Sequence, residues 1–238
     1  LTACALDLYP NQEKSGKLLM KKEPYRRVAR IYDRLFGRFN SVLHGLGMKM
    51  SSPVAGMNVL DVGCGTGTQL ELYQKAGCRV FGIDPSAAML KVARARLSDN
   101  AELLNGDASA TPYADGQFDL ITMKNVLHEM SPDVRSAVLN ECNRILKDDG
   151  RILLVDFHPG PIRGWKGWFY KCVIFVIERA AGGDHYRNYR HFQKNKGLPG
   201  LISARGFSVD KERIVTGGNM ALYLLQKDKS SGDRQLNR

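Results

Sequence analysis

The chain has 238 residues, 43% hydrophobic and 25% charged, with 35 basic against 24 acidic side chains and a formal net charge of +11. That length buries one substantial core, and the balanced composition excludes disordered and fibrous classes. The surplus of positive charge favours an anionic contact, whether bilayer surface, nucleic acid or acidic small molecule, while no apolar run reaches the roughly 18 residues of a spanning helix and no signal sequence is recognisable.

In chain order, residues 1–24 show no clear period and are expected to form a mobile arm. From Tyr25 to Leu46, Val28, Ile31, Leu35, Phe39, Val42 and Leu46 recur every three or four positions beside a row of arginines, which predicts an amphipathic helical cap over residues 25–50, with Gly37 as a candidate break. An alternating rhythm follows. Strands are predicted at Asn58–Val62, Arg79–Ile83, Glu102–Leu104, Phe118–Met123 and, after an Asp149-Gly150 turn, Arg151–Phe157. Helices are predicted between them at Thr68–Ala76, Ser86–Leu97 and Pro132–Leu146. Strands separated by crossover helices imply a parallel sheet covered on both faces.

Beyond His158 the rhythm breaks. An aromatic and apolar run, Trp165–Ile177, precedes a polar segment around His185–His191 and a short helix near Leu198–Ala204. Two strands, Phe207–Val215 and Met220–Gln226, are expected to join through Gly217-Gly218 as a hairpin-like connection. Residues 25–227 thus read as a single domain, with 158–198 as an insert or lid on the acceptor side and 228–238 as a frayed tail. Cys4, Cys64, Cys78, Cys142 and Cys172 form no C-x-x-C pair, so buried thiols in a reducing, cytoplasmic compartment are expected, without a metal.

The chemistry concentrates after the first strand. Asp61-Val62 runs directly into Gly63-x-Gly65-x-Gly67, where glycines permit a tight turn and the approach of a ligand to backbone N–H groups. The second strand ends at Asp84, an acid placed to hold a ribose diol, so loop and acid together specify an adenosine-containing ligand. The glycine spacing is not that of a dinucleotide fingerprint and no Walker lysine follows, which ranks nicotinamide and nucleoside triphosphates below S-adenosylmethionine.

These residues resemble the class I methyltransferases. Val59–Gly67 is similar to their first motif, Asp84 to their ribose-binding acid and Asn105-Gly106-Asp107-Ala108 to their adenine-binding segment, a likeness extending over about residues 55–157. The resemblance implies a Rossmann-like α/β fold, with a seven-stranded, mostly parallel sheet, an antiparallel last strand and the N-terminal helical cap. It implies S-adenosylmethionine as cofactor and S-adenosylhomocysteine as product. Asp61, Gly63, Cys64, Gly65, Thr66 and Gly67 would form the loop; Pro85, Ser86 and Met89 would line the adenosine cleft beside Asp84; Asp107 and Ala108 would meet adenine; Lys124 and Asn125 would face the methionine end. Tyr32-Asp33-Arg34-Leu35 and Thr216–Leu222 resemble the ubiquinone/menaquinone-biosynthesis group, in which Tyr25 or Tyr32 would lie over the methionine moiety.

Methyl transfer from a sulfonium needs alignment and exclusion of water, plus a base when the acceptor is a hydroxyl or acidic ring carbon. His128 after the fourth strand, His158 after the fifth, and His185 with Tyr186 are the candidates. His185–Phe192 reads as acceptor pocket or as a solvated basic helix face; Trp165–Ile177, flanked by Arg163, Lys166 and Lys171, as a lid or a docking face for an anionic bilayer. The expected activity is methylation of a small lipophilic acceptor, quinone- or phenol-like or a lipid, by a cytoplasmic protein with a peripheral membrane contact as one option. A nucleic-acid methyltransferase would also suit the charge, but Lys124-Asn125-Val126-Leu127 stands where adenine-methylating enzymes carry Asp/Asn-Pro-Pro-aromatic, and no Pro-Cys pair offers a nucleophile for cytosine. A cofactor-binding protein without catalysis is the remaining alternative.

Overall fold

The structure, a computed structural model, describes residues 40–203 and 207–228, which from Ser41 onward belong to one compact unit. The expected arm, Tyr25, Tyr32, most of the helical cap and all but the first residue of the tail lie outside the described residues. What is described of the cap is a helix over residues 40–51, α1, which buries Leu43 and His44.

The elements then follow as β1 (Asn58–Val62), α2 (Thr68–Lys75), β2 (Arg79–Asp84), α3 (Ala87–Arg96), β3 (Glu102–Asn105), β4 (Phe118–Lys124), α4 (Pro132–Ile145) and β5 (Leu146–Phe157). Three helices, α5 (Gly164–Ala180), α6 (Gly183–Lys194) and α7 (Gly197–Ser203), precede the closing strands β6 (Phe207–Val215) and β7 (Met220–Lys227). The sheet has seven strands in the order β3-β2-β1-β4-β5-β7-β6. Pairing from β3 to β5 is parallel, and β7 runs antiparallel to both of its neighbours. The expected α/β class, the mostly parallel sheet and the antiparallel last strand are all present.

Consecutive residues of the central strands are buried, Val59 to Val62 in β1 and Ile152 to Phe157 in β5, as a sheet covered on both faces requires. Helix starts follow their capping residues: Ser86 Oγ accepts from Met89 N, and Ser131 Oγ accepts from Val134 N with Pro132 in the first turn. Asp119 accepts from Asn58 N at 2.8 Å and from Lys147 Nζ at 2.5 Å, so this acid ties β1, β4 and β5 together at the edge away from the glycine loop.

Two expectations need correction. Asp149-Gly150 is no turn before a strand: β5 begins at Leu146, and the pairing with β4 jumps from Phe118↔Leu146 to Leu120↔Arg151, so Lys147–Gly150 bulge out of a continuous strand. The polar run around His185–His191 is helix α6, its charges spaced around one exposed face, and Gly217-Gly218 does join the antiparallel strands β6 and β7, through a 3-10 turn, Thr216–Gly218. Cys64, Cys78 and Cys142 are buried and free as expected, but Cys172 is exposed because it lies on the outward side of α5.

Candidate active site

The parallel strands end together. The register pairs Val62 with Ile83 and Met123, Asp84 with Asn105 and Lys124 with Val155, so Asp61, Asp84, Lys124 and Asp156 share one edge of the sheet. Ligands of open α/β sheets bind outside this carboxyl edge.

On one half of the edge lies a cleft built by the glycine loop. Gly63 N and Cys64 N both reach Ile83 O, and Gly65 N donates to Asp84 Oδ2 at 2.8 Å while Ser86 N donates to Oδ1 at 2.8 Å. Gly65 holds φ +52°, and a Cβ built there would meet nothing within 4 Å among the described residues. Asp61 is buried and accepts from Thr122 Oγ1 at 2.6 Å. Burial raises its carboxyl to about 6, with Asp84 acting in the same sense and Thr122 and Lys124 opposing. Lys124 Nζ meets His44 Nε2, an imidazole that burial and then Lys124 lower to about 4, so the neutral ring accepts the ammonium's proton in a hydrogen bond. Next to it, Asn125 adopts φ +55°, and among the described residues its buried Oδ1 has no hydrogen-bond partner. Pro85 is exposed and Ser86 and Met89 are half-buried at the rim, beside exposed Asp107, whose Oδ1 accepts from Ser109 N at 2.8 Å, and half-buried Ala108.

Past the end of β4 stands a second cluster. His128 is 3% exposed, and its Nδ1–H donates at 2.7 Å to Oδ1 of Asp156, a fully buried carboxylate that also takes the backbone N–H groups of Leu127, His128 and Phe157. This fixes the tautomer and turns Nε2 of His128 toward Glu178 Oε1 at 3.7 Å and Glu129 Oε1 at 3.9 Å. His185 Nε2 lies 2.6 Å from Glu178 Oε2. Burial disfavours a charged His128, yet Asp156, Glu129 and Glu178 outweigh it and raise the ring to about 9. The loop carrying His128 is held from below: Arg135 donates to Leu127 O and Met130 O at 2.7 Å each and stacks over Phe192 of α6, while Asn188 of α6 donates to Glu129 O.

A cavity of about 520 Å³ adjoins the cluster, with Phe157, His158, Phe175, Tyr186 and Tyr189 in its wall. Tyr189 packs edge-on against both Phe157 and His128 and stacks on Tyr186.

Residues 60–154 match the family described as a methyltransferase domain. A demethylmenaquinone methyltransferase of Renibacterium salmoninarum is 32% identical over 184 residues, covering 74% of this chain and 76% of its own length. The chain belongs to the class I S-adenosylmethionine-dependent methyltransferases. Within them it stands close to the menaquinone group, since a demethylmenaquinone methyltransferase of Listeria monocytogenes is 29% identical over 225 residues, 86% of this chain and 94% of that protein. A solved S-adenosylmethionine-dependent methyltransferase from Aquifex aeolicus shares the fold, with a TM-score of 0.53 at 19% identity over 76% of this chain and 88% of its own. Another from Mesorhizobium loti has a TM-score of 0.57 at 17% identity, over 77% and 96%.

S-adenosylmethionine is the methyltransferase's cofactor, and the cleft fits it: open space in front of Gly65 and an unsatisfied buried acceptor on Asn125 are what a ligand with an adenosine and an amino-acid end would fill. The structure brings the expected cofactor residues from Asp61 to Asn125 to this one edge. Of the four acid–base candidates, His128 and His185 come together with ring centroids 5.6 Å apart, whereas His158 and Tyr186 line the neighbouring cavity. His158 Nδ1 also lies 3.2 Å from Gly160 N and 3.3 Å from Gly218 O, so its ring holds the loop after β5. Asp156, Glu178 and His44 also stand at this edge and were not foreseen, whereas Tyr189 falls in the segment read as a candidate acceptor pocket.

Proposed function

We propose that this methyltransferase methylates a small lipophilic acceptor, a quinol or phenol in the first instance, drawn from an anionic membrane through the face formed by α5. The carrying observation is that α5 has two aromatic sides. Phe175 and Ile174 line the cavity beside His158, Tyr186 and Tyr189, while Trp165, Trp168 and Phe169 stand 75%, 58% and 60% exposed on the outside. Lys166 and Lys171 sit over the two indoles at 5.6 and 5.3 Å, a pairing of cations with interfacial aromatics that suits a headgroup layer. Among the described residues no helix is long and apolar enough to cross a membrane, so α5 would lie on the surface.

S-adenosylmethionine supplies a methyl group on a sulfonium sulfur for in-line displacement. The chain's part is positional. Asp84 and the glycine loop would hold the adenosine, Lys124 and Asn125 the amino-acid end, and Phe157, Tyr186 and Tyr189 a flat ring against which water is excluded. An acceptor hydroxyl or acidic ring carbon loses a proton near the transition state, and the imidazoles and carboxylates of His128, Glu129, Glu178 and His185 are grouped beside the cavity where this takes place.

The test is transfer of labelled methyl to a demethylmenaquinol presented in vesicles containing phosphatidylglycerol. Turnover is expected, together with vesicle sedimentation of the protein that falls at least fivefold in a Trp165→Ala/Trp168→Ala variant. A protein that binds S-adenosylhomocysteine but methylates no quinol, phenol or lipid overturns the acceptor class; unaltered sedimentation of the variant overturns the docking face.

A further inference from the structure

We propose that His128, His185 and Glu129, backed by Glu178, form a binding site for a divalent transition-metal ion that receives the acceptor's oxygen. The proposal deepens the reading of an oxygen-bearing acceptor and rests on it.

Its basis is geometric. One donor atom from each of His128, Glu129 and His185 lies within 4.8 Å of the other two, a group contributed by the loop after β4 and by α6. Ions bound at about 2.0–2.2 Å in tetrahedral sites hold their ligands about 3.3–3.6 Å apart, so small rotations of these side chains close the set. Glu178 reaches across from α5, 3.7 Å from Nε2 of His128 and 2.6 Å from Nε2 of His185, and offers a fourth oxygen.

Two further features point the same way. Asp156 holds the Nδ1–H of His128 at 2.7 Å, the carboxylate–histidine arrangement that orients a ligating imidazole and strengthens its free nitrogen. That carboxylate is fully buried, and Glu178 is 5% exposed, so the pocket collects acidic charge away from water, answered by the imidazoles and by Arg135 near Asp156. A doubly charged ion satisfies such a set better than two shared protons. Mixed imidazole and carboxylate donors suit zinc and its first-row neighbours more than magnesium.

The consequence for the reaction is simple in electrons and atoms. A phenolic or enolic hydroxyl bound to the ion gives its proton to solvent, and the anion formed attacks through oxygen or the conjugated ring carbon. The new bond to methyl forms as the carbon–sulfur bond breaks, and sulfur leaves as a neutral thioether; attack through carbon releases that carbon's proton in restoring the ring. Selectivity for acceptors with an oxygen near the methylated position follows.

The test is calorimetric titration of zinc into the full chain after treatment with EDTA and dialysis, with metal content read by mass spectrometry and the visible spectrum recorded with cobalt. One ion per chain, bound at micromolar affinity or tighter, is expected. His185→Ala and Glu129→Gln should each weaken it at least tenfold, and Asp156→Asn by ~10- to 100-fold, while binding of S-adenosylhomocysteine stays within twofold. Sub-stoichiometric zinc, or zinc that both His185→Ala and Glu129→Gln bind as well as the parent, overturns the site. Full turnover by metal-free protein overturns the ion's role and leaves the methyltransferase reading intact; failure to bind S-adenosylhomocysteine would instead strike the cofactor cleft.

Discussion

Oδ2 of Asp84 accepts the backbone N–H of Gly65 at 2.8 Å, so the acid that ends β2 and the loop that leaves β1 are one hydrogen-bonded unit. The second oxygen of the same carboxylate takes Ser86 N and thereby the start of α3. Replacing Asp84 with Ala releases the loop and removes the charged acceptor proposed to hold the ribose. Calorimetry should show S-adenosylhomocysteine bound ~10- to 100-fold more weakly, the range of one or two charge-assisted hydrogen bonds; equal affinity would displace Asp84 from the cofactor site.

Gly65→Ala separates conformation from contact. At φ +52° a side chain strains the backbone by about 1 kcal/mol, a loss of roughly 2–4 °C in Tm, but its methyl projects into open space and touches no protein atom within 4 Å. The expected pairing is a modest thermal shift with a more than tenfold loss of cofactor affinity. A variant that loses stability and keeps affinity would place the cofactor elsewhere.

Asp61 makes the ligand-free protein sensitive to pH. Its carboxyl titrates near 6 when folded, raised by burial from the ordinary 3.8, so between these values the folded chain keeps a proton that the unfolded chain has released. Its contribution to stability is therefore complete below about 3.8 and lost as pH rises through 6. Chemical denaturation at pH 4, 5, 6 and 7 should show the stability of the parent declining relative to Asp61→Asn by about 2–3 kcal/mol. His44, lowered to about 4, acts in the opposite sense but is common to both proteins and cancels. A constant difference across the series would refute the buried, raised carboxyl.

Tyr189→Ala should enlarge the cavity wall beside Phe157 and His128. The KM for a quinol is expected to rise about tenfold with S-adenosylhomocysteine affinity unchanged, since that ring packs on His128, Phe157 and Tyr186. A matching loss of cofactor affinity would mean the two pockets are one.

Much of this was legible in the chain because the signals were local. Val59–Gly67 contains strand, turn and helix start within nine residues, and Asp84 follows a strand of the expected length. Asp156 carried a signal too, a single acid in Leu153-Leu154-Val155-Asp156-Phe157, where a fully covered strand has no water for it. Glu178 stands similarly alone after Val173–Ile177. Their partners were not legible, because His128, Glu178 and His185 meet only when α5 and α6 fold back on the loop after β4, and no spacing in the sequence records that approach. The bulge at Lys147–Gly150 escaped for the opposite reason: Asp149-Gly150 is a good local turn signal, overridden by pairing on both sides of it.

The 3-10 turn before β7 bears on how the acceptor enters. Arg163 N donates to Gly217 O at 2.7 Å, Asn219 Nδ2 to Gly167 O at 2.8 Å, and a Cβ at Gly218 would lie 2.2 Å from Pro161 O. The start of α5 is in this way fastened to the 3-10 turn by one backbone and one side-chain hydrogen bond. At its other end, the Gly182-Gly183 junction with α6 has no neighbour within 4 Å of either Cβ position. Just before that junction Glu178 meets His185 of α6 at 2.6 Å and Arg179 lies over the Tyr186 ring at 5.4 Å, so α5 is fastened near both ends and its aromatic wall stands like a door between two jambs.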